Sequence, residues 1–239
     1  MGFLDFFISE DRRIAKEQRN LTNRDKNTED REAAARWLCD RDSPRAIVAL
    51  LTRFDMNLEN QLKDQAEKEL TYSLIAAKGA ATLRPLARHL ERCRQLATPL
   101  RMFVDLFGED AAVEKAFHLL QVEHERDDLN KPEKKVDLLI WLVEKRHPDA
   151  IERCALFLHD FDENVRYAAA EVMLGQQDDA ARPLLEAALV NPTEESNRLR
   201  VRLCEAFEQR RWPLDDPEAA GARLAGSYAV RDNRIVRTG

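Results

Sequence analysis

Short stretches of this chain recur at regular distances along it. The segment REAAAR at 31–36 is echoed by RYAAAE at 166–171, and Arg-Pro-Leu at 84–86 returns unchanged at 182–184. Self-similarity with a period of a few tens of residues is typical of stacked helical repeats. In such arrays each unit packs only against its neighbours, so the repeat constrains the fold more than any single motif does.

The composition fits a helical protein with a large surface. The 239 residues include only 7 Gly and 9 Pro, while 44% are hydrophobic and 34% are charged. The scarcity of helix breakers favours helices, and the charged fraction suits an elongated body. The formal net charge of -6 argues against a general nucleic-acid binder, although a local basic patch is compatible with that total.

Hydropathy and cysteine usage indicate a cytoplasmic protein. No segment holds the ~20 consecutive apolar residues that cross a bilayer, and the N-terminus lacks the pattern of a secretory signal. A free thiol in an apolar helical pattern behaves as a small buried hydrophobe, and such usage is typical of a reducing compartment. All four cysteines lie in such patterns, without a CxxC pair: Cys39, Cys93, Cys154 and Cys204.

The apolar spacing predicts helices in pairs. Five pairs and a sixth helix are expected at 28–54, 59–92, 97–122, 132–159, 162–190 and 193–211. The second pair carries an apolar stripe that we expect to be buried, made of Leu62, Ala66, Leu70 and Leu74. The fourth pair carries another, made of Val136, Leu139, Ile140 and Val143. Stripes of this kind are the faces by which helices pack onto a core.

The two ends of the chain depart from the repeat pattern, because a terminal unit has one face without a neighbour. Residues 1–27 combine an apolar start with a segment of mixed charge, which we expect to be an exposed helix or a flexible tether. The apolar start is expected to cap the first repeat, with contact to a membrane surface or a partner as the alternative. The repeat domain is assigned to 28–211 and a C-terminal cap to 212–239.

Two short strands are predicted in that cap, on either side of Asp232-Asn233, which favours a tight turn. A single hairpin is not stable alone in water, so it should dock on the sixth repeat helix. The side chains expected to pack there are Tyr228, Val230 and Ile235. Their expected contacts are Leu199, Leu203 and Phe207.

Residues 162–190 resemble a HEAT repeat. The matching features are the run DENVRYAAA from Asp162, the glycine at 175 and the run ARPLL from Ala181. The resemblance implies an all-α, right-handed α-solenoid of about six helical units, in which Asp162 and Arg166 bond within and between repeats. HEAT-like arrays in general serve as protein-binding scaffolds, and a minority act in DNA-base excision or tetrapyrrole attachment.

No motif for catalysis or for cofactor binding occurs in the sequence, which lacks a GxSxG elbow, a glycine-rich phosphate loop and a P-loop lysine. Metal sites on helices need ligands at i, i+3 or i+4, or a cluster of cysteine and histidine. The spacing of His118 and His124 does not fit, and we predict that no cysteine–histidine cluster occurs. We therefore predict no catalytic, cofactor-binding or metal-binding residue. All five histidines are expected in loops or on the surface: His89, His118, His124, His147 and His159.

A row of arginines lies on the second helix of the second pair. Arg84, Arg88 and Arg92 are spaced at i, i+4 and i+8, which places them on one helix face. Arginine grips carboxylates and phosphates through two parallel hydrogen bonds, so the row is a candidate site for an anion or an acidic partner. The alternative is a solvated face that bridges to neighbouring acidic residues.

These features predict a non-catalytic scaffold or adaptor that binds a partner protein or peptide along a solenoid groove. Residues 105–164 hold twice as many acidic as basic residues, which suggests an oriented contact with another protein. The alternative is a HEAT-like enzyme or nucleic-acid-binding module, similar to a DNA glycosylase or a tetrapyrrole lyase. An uninterrupted basic groove with an exposed tryptophan would favour nucleic acid.

Overall fold

The structure is a computed structural model that describes residues 3–41, 43–126 and 132–238. Within these residues the chain forms thirteen α-helices, three short 3-10 helices and one two-stranded antiparallel sheet. The expected all-α fold with a small hairpin is confirmed. None of the described helices has the length and apolar character that crossing a membrane requires. The chain divides into two compact units, residues 1–115 and 116–239.

The first unit consists of helices arranged in pairs after one additional N-terminal helix. Its helices are α1 (Phe3–Leu21), α2 (Thr28–Cys39), α3 (Pro44–Leu51), α4 (Gln61–Ala76), α5 (Leu83–Leu90) and α6 (Ala97–Phe107), and α7 follows at Glu109–Glu125. Residues 116–125 of α7 belong to the second unit. The 3-10 helix Thr52–Asp55 extends α3, and a second, Gly79–Thr82, leads into α5. α2 packs against α4 and α3 packs against α5, so equivalent helices of neighbouring pairs are in contact.

The second unit continues the pairs and ends in the hairpin. Its elements are α8 (Glu133–Leu142), α9 (Ala150–Ala155), α10 (Glu163–Gly175), α11 (Ala181–Val190), α12 (Asn197–Arg210), α13 (Pro217–Gly221), β1 (Tyr228–Arg231) and β2 (Arg234–Arg237). The 3-10 helix Leu156–His159 extends α9. α10 lies between α8 and α12 and packs against both. Asp162 accepts hydrogen bonds from the backbone N–H groups of Asn164 and Val165, as expected of an N-cap.

The N-terminal segment is a helix that contributes to the core, not a tether. Ile14 and Leu21 of α1 are buried, and the helix packs against α2 and α3. Its charged residues occupy the opposite side, so the mixed-charge sequence reflects an amphipathic helix. The side chains of residues 1–9 lie outside the described part of the chain. The structure therefore does not test the expectation that the apolar start caps the first repeat.

A buried ionic cluster joins α2, α4 and the end of α3. Arg31 donates two hydrogen bonds to the Glu67 carboxylate, at 2.8 Å from Nε and 2.7 Å from Nη2. Arg53, which is fully buried, contacts Asp64 at 2.8 Å and Glu67 at 3.3 Å and donates to the carbonyl of Met56. Each charge is therefore matched by an opposite charge, which offsets the desolvation cost of burial.

The second unit repeats this arrangement at Arg166. Its Nε and Nη2 donate to the two carboxylate oxygens of Glu194, at 2.7 and 2.8 Å, while Nη1 donates to the carbonyls of Asp160 and Phe161. Arg31 likewise contacts a carbonyl of its preceding loop, that of Lys26. The recurring arginine of the two sequence repeats thus joins the start of its own helix to a glutamate of the following helix pair: Glu67 lies on α4, and Glu194 lies in the loop before α12.

The predicted apolar stripe on α4 is wrong, and the ionic cluster gives the reason. Leu62 is 82% exposed, and the buried positions of α4 are Glu67, Thr71 and Ile75. Because Glu67 must meet both arginines of the cluster, α4 turns this face inward. Of the predicted stripe, Leu62 and Ala66 are exposed, and Leu70 and Leu74 are half-buried.

The C-terminal hairpin forms as predicted. Asp232 and Asn233 both adopt positive φ, at 50° and 57°, which matches the twist that a two-residue hairpin turn requires. Ile235 is 2% exposed and β2 packs on α12, which confirms that the hairpin docks on this helix. β1 lies instead against α13, where Val230 is next to Gly221, and its side chains are half-buried.

A close approach of α8 and α10 depends on glycine at 175. A Cβ atom placed there would lie 2.5 Å from the carbonyl oxygen of Val143, at the end of α8. Both partners in this contact are backbone, so neither can move aside by a rotamer change. Ala168, Ala169 and Ala170 of α10 are all buried, and their short side chains also allow neighbouring helices to approach closely.

We expect Gly175→Ala to destabilise the second unit even though alanine favours helix. The clash with the Val143 carbonyl should cost about 1–3 kcal/mol, as overpacking usually does. Chemical denaturation measures the loss, with Gly226→Ala as the control because its Cβ would meet nothing within 4 Å. Equal stability of the two variants would show that the helices do not approach this closely.

Replacing Glu67 by Gln should break the ionic cluster of the first unit. Removing one member of a buried charge pair costs about 3 kcal/mol, because the remaining arginines lose their counter-charge. The control is Glu69→Gln, since the side chain of Glu69 is 65% exposed and lies 3.5 Å from Arg101. Similar unfolding midpoints for the two variants would contradict a structural role for the cluster.

The same cluster predicts a dependence on pH. Burial alone would raise the pKa of Glu67, but hydrogen bonds from Arg31 and Thr28 and the charges of Arg31 and Arg53 hold it below its usual value. Its stabilising contribution is therefore complete above about pH 5 and is lost as the pH falls through the folded-state pKa. Thermal midpoints measured between neutral and acidic pH should fall less steeply in Glu67→Gln than in the wild type.

Candidate functional site

The predicted arginine row is exposed on the first unit. Arg84 and Arg88 lie on α5 and Arg92 lies just beyond its end, and all three side chains face solvent. Their side chains form no ion pair or hydrogen bond with another described residue. The row therefore offers three positive charges at the surface.

A groove on the second unit is a better-formed candidate. α8, α10 and α12 enclose a cavity of about 470 Å³. This volume lies within the range of about 300–1,000 Å³ that is common for ligand sites. The groove runs along most of α8 and along α10 up to Glu171, and Arg198 of α12 completes its lining.

One wall of the groove is an apolar stripe on α8. Val136, Ile140 and Val143 line it at helical spacing, and Ile140 is 58% exposed. The core face of α8 is formed instead by Leu138 and Leu139, both fully buried, together with the next turn. The predicted single buried stripe is therefore wrong except at Leu139. α8 is apolar on two sides, and only one of them is covered by the described chain.

The same wall carries two carboxylates one helical turn apart, Glu133 and Asp137. Like charges at this spacing repel each other. Desolvation at the groove wall raises the pKa of Asp137, and the negative charge of Glu133 raises it further. Neither carboxylate forms an ion pair with a described residue. The groove therefore holds negative charge that the residues described by the structure do not neutralise.

Two described arginines near the groove, Arg198 and Arg202, contact residues other than Glu133 and Asp137. The Arg198 guanidinium lies 3.7 Å from the ring centroid of Tyr167 and donates to the side-chain oxygen of Asn164 at 3.3 Å. Arg202 pairs with Glu171 at 2.5 Å. Because these cations are held on the α10–α12 side, they leave the acidic pair on α8 open to a cation from outside.

The groove combines an apolar surface with adjacent negative charge, and sequence reasoning did not identify it. Two signals were present: acidic residues four apart at 133 and 137, and more apolar residues on one helix than a single core face can use. The periodicity alone could not tell which apolar side of α8 faces the core. That choice depends on the contact with α10.

A second cluster lies in the first unit and contains residue types that bind metals. The side-chain donor atoms of Asp55, His89 and Cys93 all lie within 4.8 Å of one another. The expectation that His89 lies in a loop or on the surface is wrong, since its side chain is 5% exposed. The prediction that no cysteine–histidine cluster occurs is also wrong, since His89 and Cys93 are spaced at i, i+4 and lie together.

The groove and the Asp55 cluster are both described from the residues of this chain, without reference to a related protein. Comparison of the chain with models of known protein families, with curated proteins and with solved structures finds no match in any of the three.

Proposed function

We propose that this chain is a non-catalytic protein-interaction scaffold with the right-handed, HEAT-like solenoid architecture that its repeats predict. Contacts between equivalent helices of successive pairs support this, as does the matching use of Arg31 and Arg166 in the two units. Repeat arrays of this kind present extended surfaces to partners. None of the four cysteines forms a disulfide, which fits function in a reducing cytoplasm.

The observation that carries the proposal is the groove on α8, α10 and α12. An uncovered apolar stripe lies beside the acidic pair of Glu133 and Asp137. A partner segment with an apolar side chain next to a lysine or arginine would satisfy both features at once. An amphipathic helix laid into a groove is a common way to present such a pair. The proposed ligand is therefore a basic, amphipathic helical segment of another protein.

The charge of the groove argues against the nucleic-acid alternative. Phosphate groups are attracted by lysine and arginine and are repelled by carboxylates. The acidic wall at Glu133 and Asp137 is thus unsuited to a nucleic-acid backbone, whereas a cationic protein segment would be attracted to it. Electrostatic complementarity of this kind mainly raises the association rate and the specificity of a complex.

The arginine row on the first unit provides a second contact in the proposal. Arg84, Arg88 and Arg92 are exposed and would meet an acidic region of the same partner or of another one. Arginines at one-turn spacing suit carboxylates because each can form two parallel hydrogen bonds. Testing the row and the groove separately distinguishes their contributions.

Replacing Asp137 by Asn should stabilise the protein while weakening partner binding. The raised pKa means that the folded state holds the proton more tightly than the unfolded chain, so ionisation at neutral pH costs stability. Removing the repulsion with Glu133 should add about 0.3 kcal/mol to the free energy of unfolding. Thermal unfolding at pH 7 checks this, with Glu144→Gln as an exposed acidic control that does not line the groove. A lower midpoint for Asp137→Asn would contradict uncompensated charge in the groove.

Partner binding is tested by comparing what groove variants capture from a cytosolic extract of the native host. We expect at least one protein to bind the wild type and to be lost with Ile140→Asp and with Glu133→Gln combined with Asp137→Asn. The purified protein, and a peptide from its basic amphipathic segment, should then bind the wild type at least about tenfold more tightly than the variants, a difference of ~1.4 kcal/mol. Higher salt should weaken this binding.

The matched control is Leu62→Asp, which places the same charge on an exposed leucine of the first unit. It should leave capture and affinity unchanged. The triple variant Arg84→Ala, Arg88→Ala and Arg92→Ala measures the contribution of the arginine row. If the groove variants retain every partner of the wild type, the groove is not the binding site and the scaffold proposal loses its main support.

A further inference from the structure

The cluster of Asp55, His89 and Cys93 is placed by two rigid parts of the first unit. The backbone N–H of Cys93 donates to the carbonyl of His89 at 2.8 Å, so one turn of helical backbone brings their side chains to the same side. Asp55 approaches from the end of the 3-10 helix that follows α3. The distance from His89 Nε2 to Asp55 Oδ2 is 3.8 Å.

The buried ionic cluster fixes the position of Asp55. Arg53 lies two residues before it, and its guanidinium donates to the carbonyl of Met56 at 3.0 Å while pairing with Asp64 and Glu67. The residues on both sides of Asp55 are thus anchored in the core. The Asp55 carboxylate also accepts a hydrogen bond from the backbone N–H of Arg94. Supporting contacts of this kind orient the ligands of metal sites.

Burial differs among the three side chains in a way that suits ion entry. His89 and Cys93 are 5% and 4% exposed, whereas the side chain of Asp55 is 34% exposed. An ion would therefore pass the carboxylate first and reach the imidazole and the thiol below it. The solvent-facing side leaves room for a water molecule as a further ligand.

We propose that Asp55, His89 and Cys93 bind one zinc-type divalent cation. Thiolate, imidazole and carboxylate are the donors that zinc prefers, and three protein ligands with a water complete a tetrahedral shell. Zinc-to-donor distances of about 2.0–2.3 Å require the three side chains to draw together from their present spacing. On binding, the Cys93 thiol releases its proton to solvent and the thiolate sulfur donates an electron pair to the ion.

Cobalt titration of the full-length protein after chelator treatment tests the proposal directly. Co²⁺ alone should produce a near-ultraviolet absorption band from thiolate-to-cobalt charge transfer, saturating at one ion per chain, and Zn²⁺ should abolish the band by displacement. Cys93→Ser should lose the band. The control Cys39→Ser, a half-buried cysteine of the same unit, should keep it. Circular dichroism confirms that each variant is folded.

Measurements of Zn²⁺ affinity and of thermal stability test the site without relying on the absorption of the Cys93 thiolate. Asp55→Asn should weaken Zn²⁺ binding by at least about tenfold, since the loss of even an indirect contact costs that much. Zn²⁺ should raise the thermal midpoint of the wild type and of Cys39→Ser, but not that of Cys93→Ser, because an ion that binds only the folded state stabilises it. Absence of the charge-transfer band in the wild type, or an equal band in Cys93→Ser, would overturn the proposal. The cluster would then be an ion pair beside a buried thiol.

Discussion

The bidentate pairing of an arginine with a glutamate from the following helix pair, or from the loop that leads into it, is the interaction on which much of this fold depends. In the first unit the Arg31–Glu67 pair decides which face of α4 is buried, and through Arg53 it also holds the turn that carries Asp55. In the second unit Arg166 and Glu194 join α10 to the segment before α12. Hydrophobic burial supplies most of the stability, but it is not directional. The ion pairs determine which helix faces turn toward the core.

The groove on the second unit shows the opposite situation. α8 has more apolar surface than its core contact with α10 uses, and it adds two carboxylates that the described chain does not neutralise. Local conflicts of this sort cost stability, and natural proteins retain them mainly where function requires them. The ionised Asp137 lowers the free energy of unfolding, and a cation of the proposed partner would offset that loss on binding.

Much of the secondary structure could be predicted from the sequence because helix periodicity and capping are local properties. The helix pairs, the N-cap at Asp162 and the turn at Asp232-Asn233 all follow from short-range rules. The faces of α4 and α8 could not be predicted in this way. Each helix has two plausible inward sides, and the choice is made by a residue distant in sequence: Arg31 for α4 and the glycine at 175 for α8. The groove was missed for the same reason, and the Asp55 cluster because its members come from separate elements.

The glycine-mediated contact between α8 and α10 also bears on how fast the proposed partner would associate. At this contact the two backbones meet without an intervening side chain, so no side chain has to rearrange there before the groove is filled. A surface that needs no opening step meets its ligand at the rate set by diffusion and charge. Variation in affinity among natural ligands of such a groove would then arise in their residence times, leaving the speed of capture nearly constant.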